Sequence, residues 1–558
     1  MASTYKESQD PEFQSLLPHD PEQPLSPQRP TRRSFHTRHV ALAYVAGILS
    51  AVLVELFLCN HLALPLFPSP AVHRFPPSAP TNAFPSLFPT DVGYAGPTPT
   101  GAEPALIATA PAYPLHTGAP HLVSPLILTK NASQQSGSSV ERASFGIDSG
   151  PEAPPTCRVT GLHLLHRHGA RYPTEWASYG GPANFSGRLH AAAAGWNGSG
   201  DLQFMNDWTY KLGEEILTPF GRQQLFDLGV SMRMKYGFLL KNFTDSNTIP
   251  VFRTESQDRM LSSALNFALG FFGYPFDGQY QQSITIEENG FNNTLAPYKT
   301  CPNAGDRSKA DRGTAYDALA RLKPQLHGYE LTIEDVYTLQ QTCAYETVAI
   351  GYSKFCELFT EEEWKGFNYA LDLYFWYDSA FGSPLLARLT HTPIPVHNSS
   401  TNATLDDNQT TFPLGQSLYV DATHEVVVLN VITALNLSNF AADGPLPFDH
   451  IPPNRAFKSS HLAPFATNIQ FQLLSCESLP DPQIRVIIND GVAPLTGIRG
   501  CPEDADGKCP VPAFVAAQRE IVADTDWNWA CHGDWAVPPG TVWNTTTGDA
   551  PKPASASA

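Results

Sequence analysis

The chain has 558 residues, 42% of them hydrophobic, which is enough to bury one large core or two ordinary ones. Against 35 basic residues stand 53 acidic ones, for a net charge of −18. That balance argues against a nucleic-acid-binding surface and against a surface built to attract anions, so any anion site must be a local basic pocket.

Residues 1–39 are polar and proline-rich, with Arg29, Arg32, Arg33 and Arg38 gathered at the end, and read as a disordered cytoplasmic tail. Residues 40–58 (VALAYVAGILSAVLVELFL) form an apolar run broken only by Glu55, long enough to cross a bilayer as a helix. The basic cluster precedes it and no lysine or arginine follows until Arg74, so the positive-inside rule predicts a type II signal-anchor over 40–59 with everything downstream lumenal or extracellular. A cleaved signal peptide is the competing reading, although no clear small-x-small cleavage site follows. Residues 60–155 are rich in Pro, Ser, Thr, Ala and Gly and read as a stalk.

From residue 156 to 535 the pattern is that of a folded domain. RVTGLHLLHRHG predicts a strand running into a loop. TPFGRQQLFDLGVSMRMKYG predicts a helix with Leu225, Leu228 and Met232 on one face. IPVFRTESQD is extended, EEEWKGFNYALDLYFWYDSAFG is a helix whose aromatic stripe faces the core, and SLYVDATHEVVVLNVITALNL is strand, turn and helix. Strand-to-helix units predict an α/β core with a mostly parallel sheet. A helical insertion is expected roughly within 300–395, and residues 536–558 form a second disordered tail.

Of nine cysteines, Cys59 stands apart; the other eight (Cys157, Cys301, Cys343, Cys356, Cys476, Cys501, Cys509 and Cys531) predict a framework of four disulfides. Cys501 with Cys509, and Cys343 with Cys356, are close enough in sequence to pair locally. No Cys-x-x-Cys pair supports zinc. Sequons at Asn131, Asn184, Asn197, Asn242, Asn292, Asn398, Asn402, Asn408, Asn436 and Asn544 point to N-glycans in an oxidising compartment.

The densest chemistry is Arg167-His168-Gly169-Ala170-Arg171-Tyr172-Pro173 at the end of an apolar strand. Ligands in open α/β sheets bind beyond the carboxyl ends of the strands, and two guanidinium forks around one imidazole need an anion to relieve their repulsion. Gly169 would let the backbone approach a ligand or adopt a conformation other residues resist. His163 and His166 precede the motif and could be read with His168 as a metal cluster, but Arg167 and Arg171 would repel a cation, so no metal or other cofactor is expected.

RHGARYP resembles the RHGxRxP signature of the histidine acid phosphatases, in the phosphoglycerate-mutase-like superfamily. His424-Glu425 resembles the second signature, a histidine followed by an acid. Arg253 in VFRTESQDRM is similar to a third element, and FNNTLAPYKTC and FQLLSCES resemble the fungal secreted branch of acid phosphatases and phytases. The resemblance covers about 156–535. It implies a phosphoglycerate-mutase-like α/β core with a smaller helical subdomain, and hydrolysis of phosphomonoesters through a phosphohistidine on His168. It further implies phosphate binding by Arg167, Arg171, Arg253 and His424, and proton donation by Glu425. The commoner acid after the second histidine is Asp, so Asp421 is kept as a rival to Glu425. Alternatives to a broad acid phosphatase are a phytase on the same site or a catalytically inactive, membrane-tethered glycoprotein.

Overall fold

The computed structural model describes residues 145–174, 181–193, 195–291, 293–301, 316–383, 410, 412–524 and 531–532. The expected membrane segment, most of the stalk, Cys59 and the C-terminal tail lie outside these residues. Among the described residues no helix is long and apolar enough to cross a membrane.

The strands of the main sheet are β1 (Cys157–Arg167), β2 (Val251–Glu255), β3 (Gln281–Thr285), β4 (Leu418–Thr423), β5 (Asn468–Cys476), β6 (Gln483–Ile488), β7 (Gly491–Ala493) and β8 (Cys509–Pro510). The principal helices are α1 (Gly181–Ala191), α2 (Pro219–Tyr236), α3 (Asp258–Phe272), α4 (Ile333–Ile350), α5 (Glu361–Ser379), α6 (Glu425–Ala434) and α7 (Val511–Asp524). The strand order is β8-β6-β5-β1-β4-β2-β3, with β7 on β6. The α/β class is as expected, and the sheet is mixed. β1, β4, β2 and β3 run parallel, whereas β5 pairs antiparallel with β1, and β6 with β5, β7 and β8.

β1 is the central strand, and its last seven residues are all buried. A strand covered on both faces reads as a continuous apolar run, which is why LHLLHR lacks alternation. Side chains two apart still share a face. Leu162 and Leu164 pack with Leu225, Leu228 and Met232 of α2 and Phe267 and Phe271 of α3. Leu165 joins Trp376 of α5 and Val428 and Ile432 of α6. The sheet is therefore a middle layer between helices.

Local chemistry sets the helix starts. Thr218 caps α2 by accepting from the Gly221 N–H, with Pro219 in the first turn. Thr332 with Asp335 and Thr360 with Glu363 form capping boxes on α4 and α5. The aromatic stripe of α5 is core: Trp364, Phe367, Tyr369, Phe375 and Trp376 are buried. The helical lobe is wider than the expected 300–395, because Phe185, Leu189, Leu202, Met205 and Trp208 supply part of its core.

Four disulfides form, Cys157–Cys476, Cys301–Cys531, Cys343–Cys356 and Cys501–Cys509. The first ties β1 to β5 at directly paired positions. The folded domain takes in residues before the expected boundary at 155. The buried guanidinium of Arg485 donates to the Glu152 carbonyl at 2.7 Å and to Ser149 Oγ at 3.0 Å, and Gln472 Nε2 donates to the Pro151 carbonyl at 2.8 Å. Residues 149–152 thus supply acceptors that a buried arginine needs.

Candidate active site

The C-terminal ends of β1, β4 and β2 open onto one edge. Arg167 is the last residue of β1 and His168 the first beyond it; His424 follows β4 and N-caps α6, and Glu425 is the first residue of that helix. The loop carrying His168 is fastened through its backbone. His168 N–H donates to the Thr423 carbonyl at 3.2 Å, and the His168 carbonyl accepts from Ala466 at 2.9 Å. Gly169 N–H donates to Ser263 Oγ at 3.2 Å and Ala170 N–H to Gln224 Oε1 at 2.8 Å. A Cβ on Gly169 would lie 2.2 Å from the Gly221 carbonyl oxygen, and one on Gly221 would lie 1.9 Å from that of Ala170. Gly169 therefore admits the backbone of α2; its φ is not in the left-handed region.

His168 is 1% exposed. Its Nδ1 lies 2.8 Å from its neighbour's carbonyl, on Gly169, and a carbonyl can only accept, so Nδ1 carries the proton and Nε2 the lone pair. Burial first, and then the charges of Arg167 and Arg259, hold its pKa well below the usual imidazole value against the pull of Glu425. Desolvation is the larger cause of this shift and the guanidinium charges the smaller.

Glu425 Oε2 lies 3.0 Å from Arg167 Nε and 3.5 Å from His168 Nε2. Burial opposes its charge, yet Arg167, then His168 and Arg171, hold the carboxyl well below the usual carboxylate range. Arg167 also donates to the Ala463 carbonyl at 2.6 Å and lies over the Phe465 ring, 4.3 Å from its centroid. Arg171 is buried and donates to the Tyr172 carbonyl at 3.0 Å and to the Tyr345 hydroxyl at 3.3 Å.

Arg253 is placed differently from the expectation. Its Nε and Nη2 donate to Asp421 Oδ1 and Oδ2 at 2.7 and 2.6 Å, and its guanidinium covers the Phe412 ring at 4.4 Å. Neither Glu255 nor Asp258, the acids nearest in sequence, is its partner. The registers Leu165↔Asp421 and Arg253↔Asp421 set Arg253 three residues below the level of His168 and His424, about 10 Å along the strands. Asp421 also bonds His163 Nε2 at 2.6 Å. It is a mid-strand acid held between Arg253 and His163, and so it does not stand free beside His168 as a proton donor would.

The guanidinium at the right level is Arg259, in the first turn of α3. Its Nη1 donates to Glu215 Oε2 at 2.8 Å, and its charge acts on His168 and on Glu287. Sequence reasoning missed it. A signal was there, because a cation in the first turn of a helix opposes the helix dipole and implies an anion nearby.

His424 Nε2 lies 2.8 Å from Glu255 Oε2 and 2.8 Å from Glu287 Oε2, and its ring is 5.5 Å from that of His168. The sequence offered Glu255 only as a partner for Arg253, and it did not single out Glu287. His163, His166 and His168 do not converge, since His163 turns to Asp421 while His166 stacks on Phe267 with ring centroids 5.1 Å apart. Two other groups, His168–His424–Glu425 and Glu255–Glu287–His424, bring ligand-type atoms together. Arg167 already occupies Glu425, and Arg259 acts on Glu287, so guanidinium groups repel a divalent cation from both.

The histidine phosphatase superfamily (branch 2) matches residues 158–489 of the chain. Phytase A of Aspergillus awamori is 32% identical over 416 residues, covering 68% of this chain and 85% of that relative. Phytase A of Emericella nidulans is 34% identical over 414 residues, covering 67% and 85%. The crystal structure of the phytase from D. castellii superposes with a TM-score of 0.58 at 23% identity, covering 73% of this chain and 93% of that one, which is a likeness of fold. The chain belongs to the histidine phosphatase superfamily, branch 2, and is a phosphoric monoester hydrolase.

Proposed function

We propose that the chain hydrolyses phosphomonoesters by double displacement on His168. The observation that carries this reading is the buried imidazole with its Nδ1 tied to the Gly169 carbonyl at 2.8 Å, which leaves Nε2 as a neutral nucleophile. In the first step Nε2 forms a bond to phosphorus as the bond to the leaving oxygen breaks; in the second, water cleaves the P–N bond. Arg167, Arg171 and Arg259 bind the equatorial oxygens, and His424 adds a further donor under the positive end of α6. Arg259 takes the role that the resemblance gave to Arg253.

Glu425 is the proton donor, and it must move to act. An attack distance of about 3 Å, a P–O bond and a hydrogen bond add to roughly 7 Å between Nε2 and an acid on the leaving side. The ligand-free separation is 3.5 Å. A phosphoryl group entering the clamp displaces the carboxyl from Arg167, and losing that partner raises its proton affinity when a proton is needed.

The substrate range is that of a broad phosphomonoesterase. Arg188 is the only lysine or arginine between residues 174 and 200, and it is engaged by Asp335 and the Tyr329 hydroxyl, so this segment offers no spare cations for a polyphosphate. A phytase is the second reading, favoured by the relatives named Phytase A. Initial rates decide it: a higher kcat/KM on a small aryl phosphate supports the generalist, and a tenfold preference for phytate removes it.

A lumenal or extracellular domain behind a type II anchor at 40–59 fits the four disulfides and the exposed sequon residues Asn184, Asn197, Asn242 and Asn436. Glycosidase treatment should lower the apparent mass; a protein without glycans would contradict this placement.

A further inference from the structure

Glu255 ends β2, and Glu287 lies two residues beyond the end of β3. Two neighbouring parallel strands thus deliver two buried carboxyls, 0% and 3% exposed, to one nitrogen of His424. An imidazole nitrogen has one N–H to give. Two ionised carboxylates against it, out of water, would repel each other strongly, so one of them holds a proton.

The surroundings say which one. Glu287 Oε1 accepts from the Tyr298 hydroxyl at 2.9 Å and lies 3.9 Å from Lys299 Nζ. Neither oxygen of Glu255 has a hydrogen-bond partner among the described residues; its Oε2 only lies 2.8 Å from His424 Nε2, whose hydrogen bond goes to Glu287. Glu287 is supported as a carboxylate; Glu255 is the member best kept as an acid.

We propose that Glu255 and Glu287 are positioning residues that act through His424: as an acid–carboxylate pair on its Nε2, they hold the ring as an imidazolium whose Nδ1–H is left for the phosphoryl group. This rests on the phosphate-clamp reading above. A neutral ring that gave its Nε2–H to the carboxylates would present a lone pair at Nδ1 and repel a phosphate oxygen; only the charged ring has a second N–H. Nδ1 makes no hydrogen bond to the described residues.

The electrostatics agree with the geometry. Burial opposes the charge on His424, but Glu287 and then Glu255 push its pKa up to about 9. Burial, and then the charge of Glu287, push Glu255 up to about 8. The other charged or titratable groups facing the trio are Glu425 on α6, His168 and Arg167 at the end of β1, Arg259 on α3, and Tyr298 and Lys299 in the turn after β3.

The test compares the full-length protein with E287Q and E255Q. It measures kcat, KM and inhibition by inorganic phosphate from pH 4 to 9. E287Q removes the ionised partner, so the alkaline limit of phosphate binding should fall by at least one pH unit, and inhibition at pH 9 should weaken about fivefold while inhibition at pH 6.5 hardly changes. E255Q replaces an uncharged group by an uncharged one and should move that limit by less than half as much. Equal shifts in the two variants, or no shift in either, would overturn the proposal. So would parent activity lost to a chelator and restored by a divalent cation, which would give the cluster to a metal. Should E287Q fail to fold, ¹⁵N-histidine NMR of the parent replaces it: both His424 nitrogens protonated at pH 7 supports the proposal, and a neutral ring overturns it. Loss of the clamp reading itself is seen separately, as a parent enzyme that forms no phosphohistidine.

Discussion

Replacing Arg259 and Arg253 one at a time separates a guanidinium that holds the phosphoryl group from one that holds the sheet. Arg259→Ala removes a positive group aimed at charge that develops in the transition state. Loss of one such preorganised donor lowers kcat by about 10²- to 10³-fold, equivalent to about 3–4 kcal/mol. It also strands Glu215, which is 2% exposed, so Glu215→Gln serves as the control for lost stability. Arg253→Ala instead strands Asp421, also 2% exposed, with His163 as its remaining partner. Breaking a buried pair in this way costs about 3–5 kcal/mol of stability. Its kcat, measured well below the melting temperature and expressed per folded molecule, should stay within a few-fold of the parent. The assay is initial-rate hydrolysis of an aryl phosphate at 20 °C, with the thermal midpoint by circular dichroism. A hundredfold loss of kcat in Arg253→Ala with an unchanged midpoint, alongside near-parental kcat in Arg259→Ala, would refute the assignment.

Glu425→Gln should lower kcat much more on alkyl phosphates, which need a protonated leaving group, than on aryl phosphates; equal losses on both would remove Glu425 as the acid. Asp421→Asn should destabilise the protein by about 3–5 kcal/mol near neutral pH. The sign follows from its pKa, which Arg253 and then His163 hold far below the ordinary value despite burial. The stabilisation is therefore full above the unfolded carboxyl's pKa near 4 and is lost as pH falls below it, so the variant and parent denaturation curves should converge in strong acid. A gap that stays constant between pH 2 and 7 would contradict that pairing.

Much of this centre is legible in the sequence because it is local. RHGARYP and His424-Glu425 each place their residues at the end of one strand, and burial on both faces of β1 explains the unbroken run before the first motif. The two short-range disulfides are legible for the same reason. What was not legible depends on register between strands far apart in sequence. Arg253 and Arg259 are both plausible clamp residues on one segment, and only the pairing of β2 with β4 shows that the former meets Asp421. Asp421 reads as a cap or turn residue beside a helix start, whereas its neighbours in space are Arg253 and His163 on other strands. Glu255 and Glu287 meet only because β2 and β3 lie side by side, and Arg485 gives no sign in the sequence that it fastens the last residues of the apparent stalk.

The central claim is that a covalent bond forms between phosphorus and His168. Rapid acid-free quenching of the enzyme with a ³²P-labelled aryl phosphate, followed by peptide mapping, tests it directly. The account predicts an acid-labile, base-stable label on the peptide containing His168, absent from His168→Ala. A label on another residue, or turnover by a His168→Ala protein at a rate near that of the parent, would contradict it.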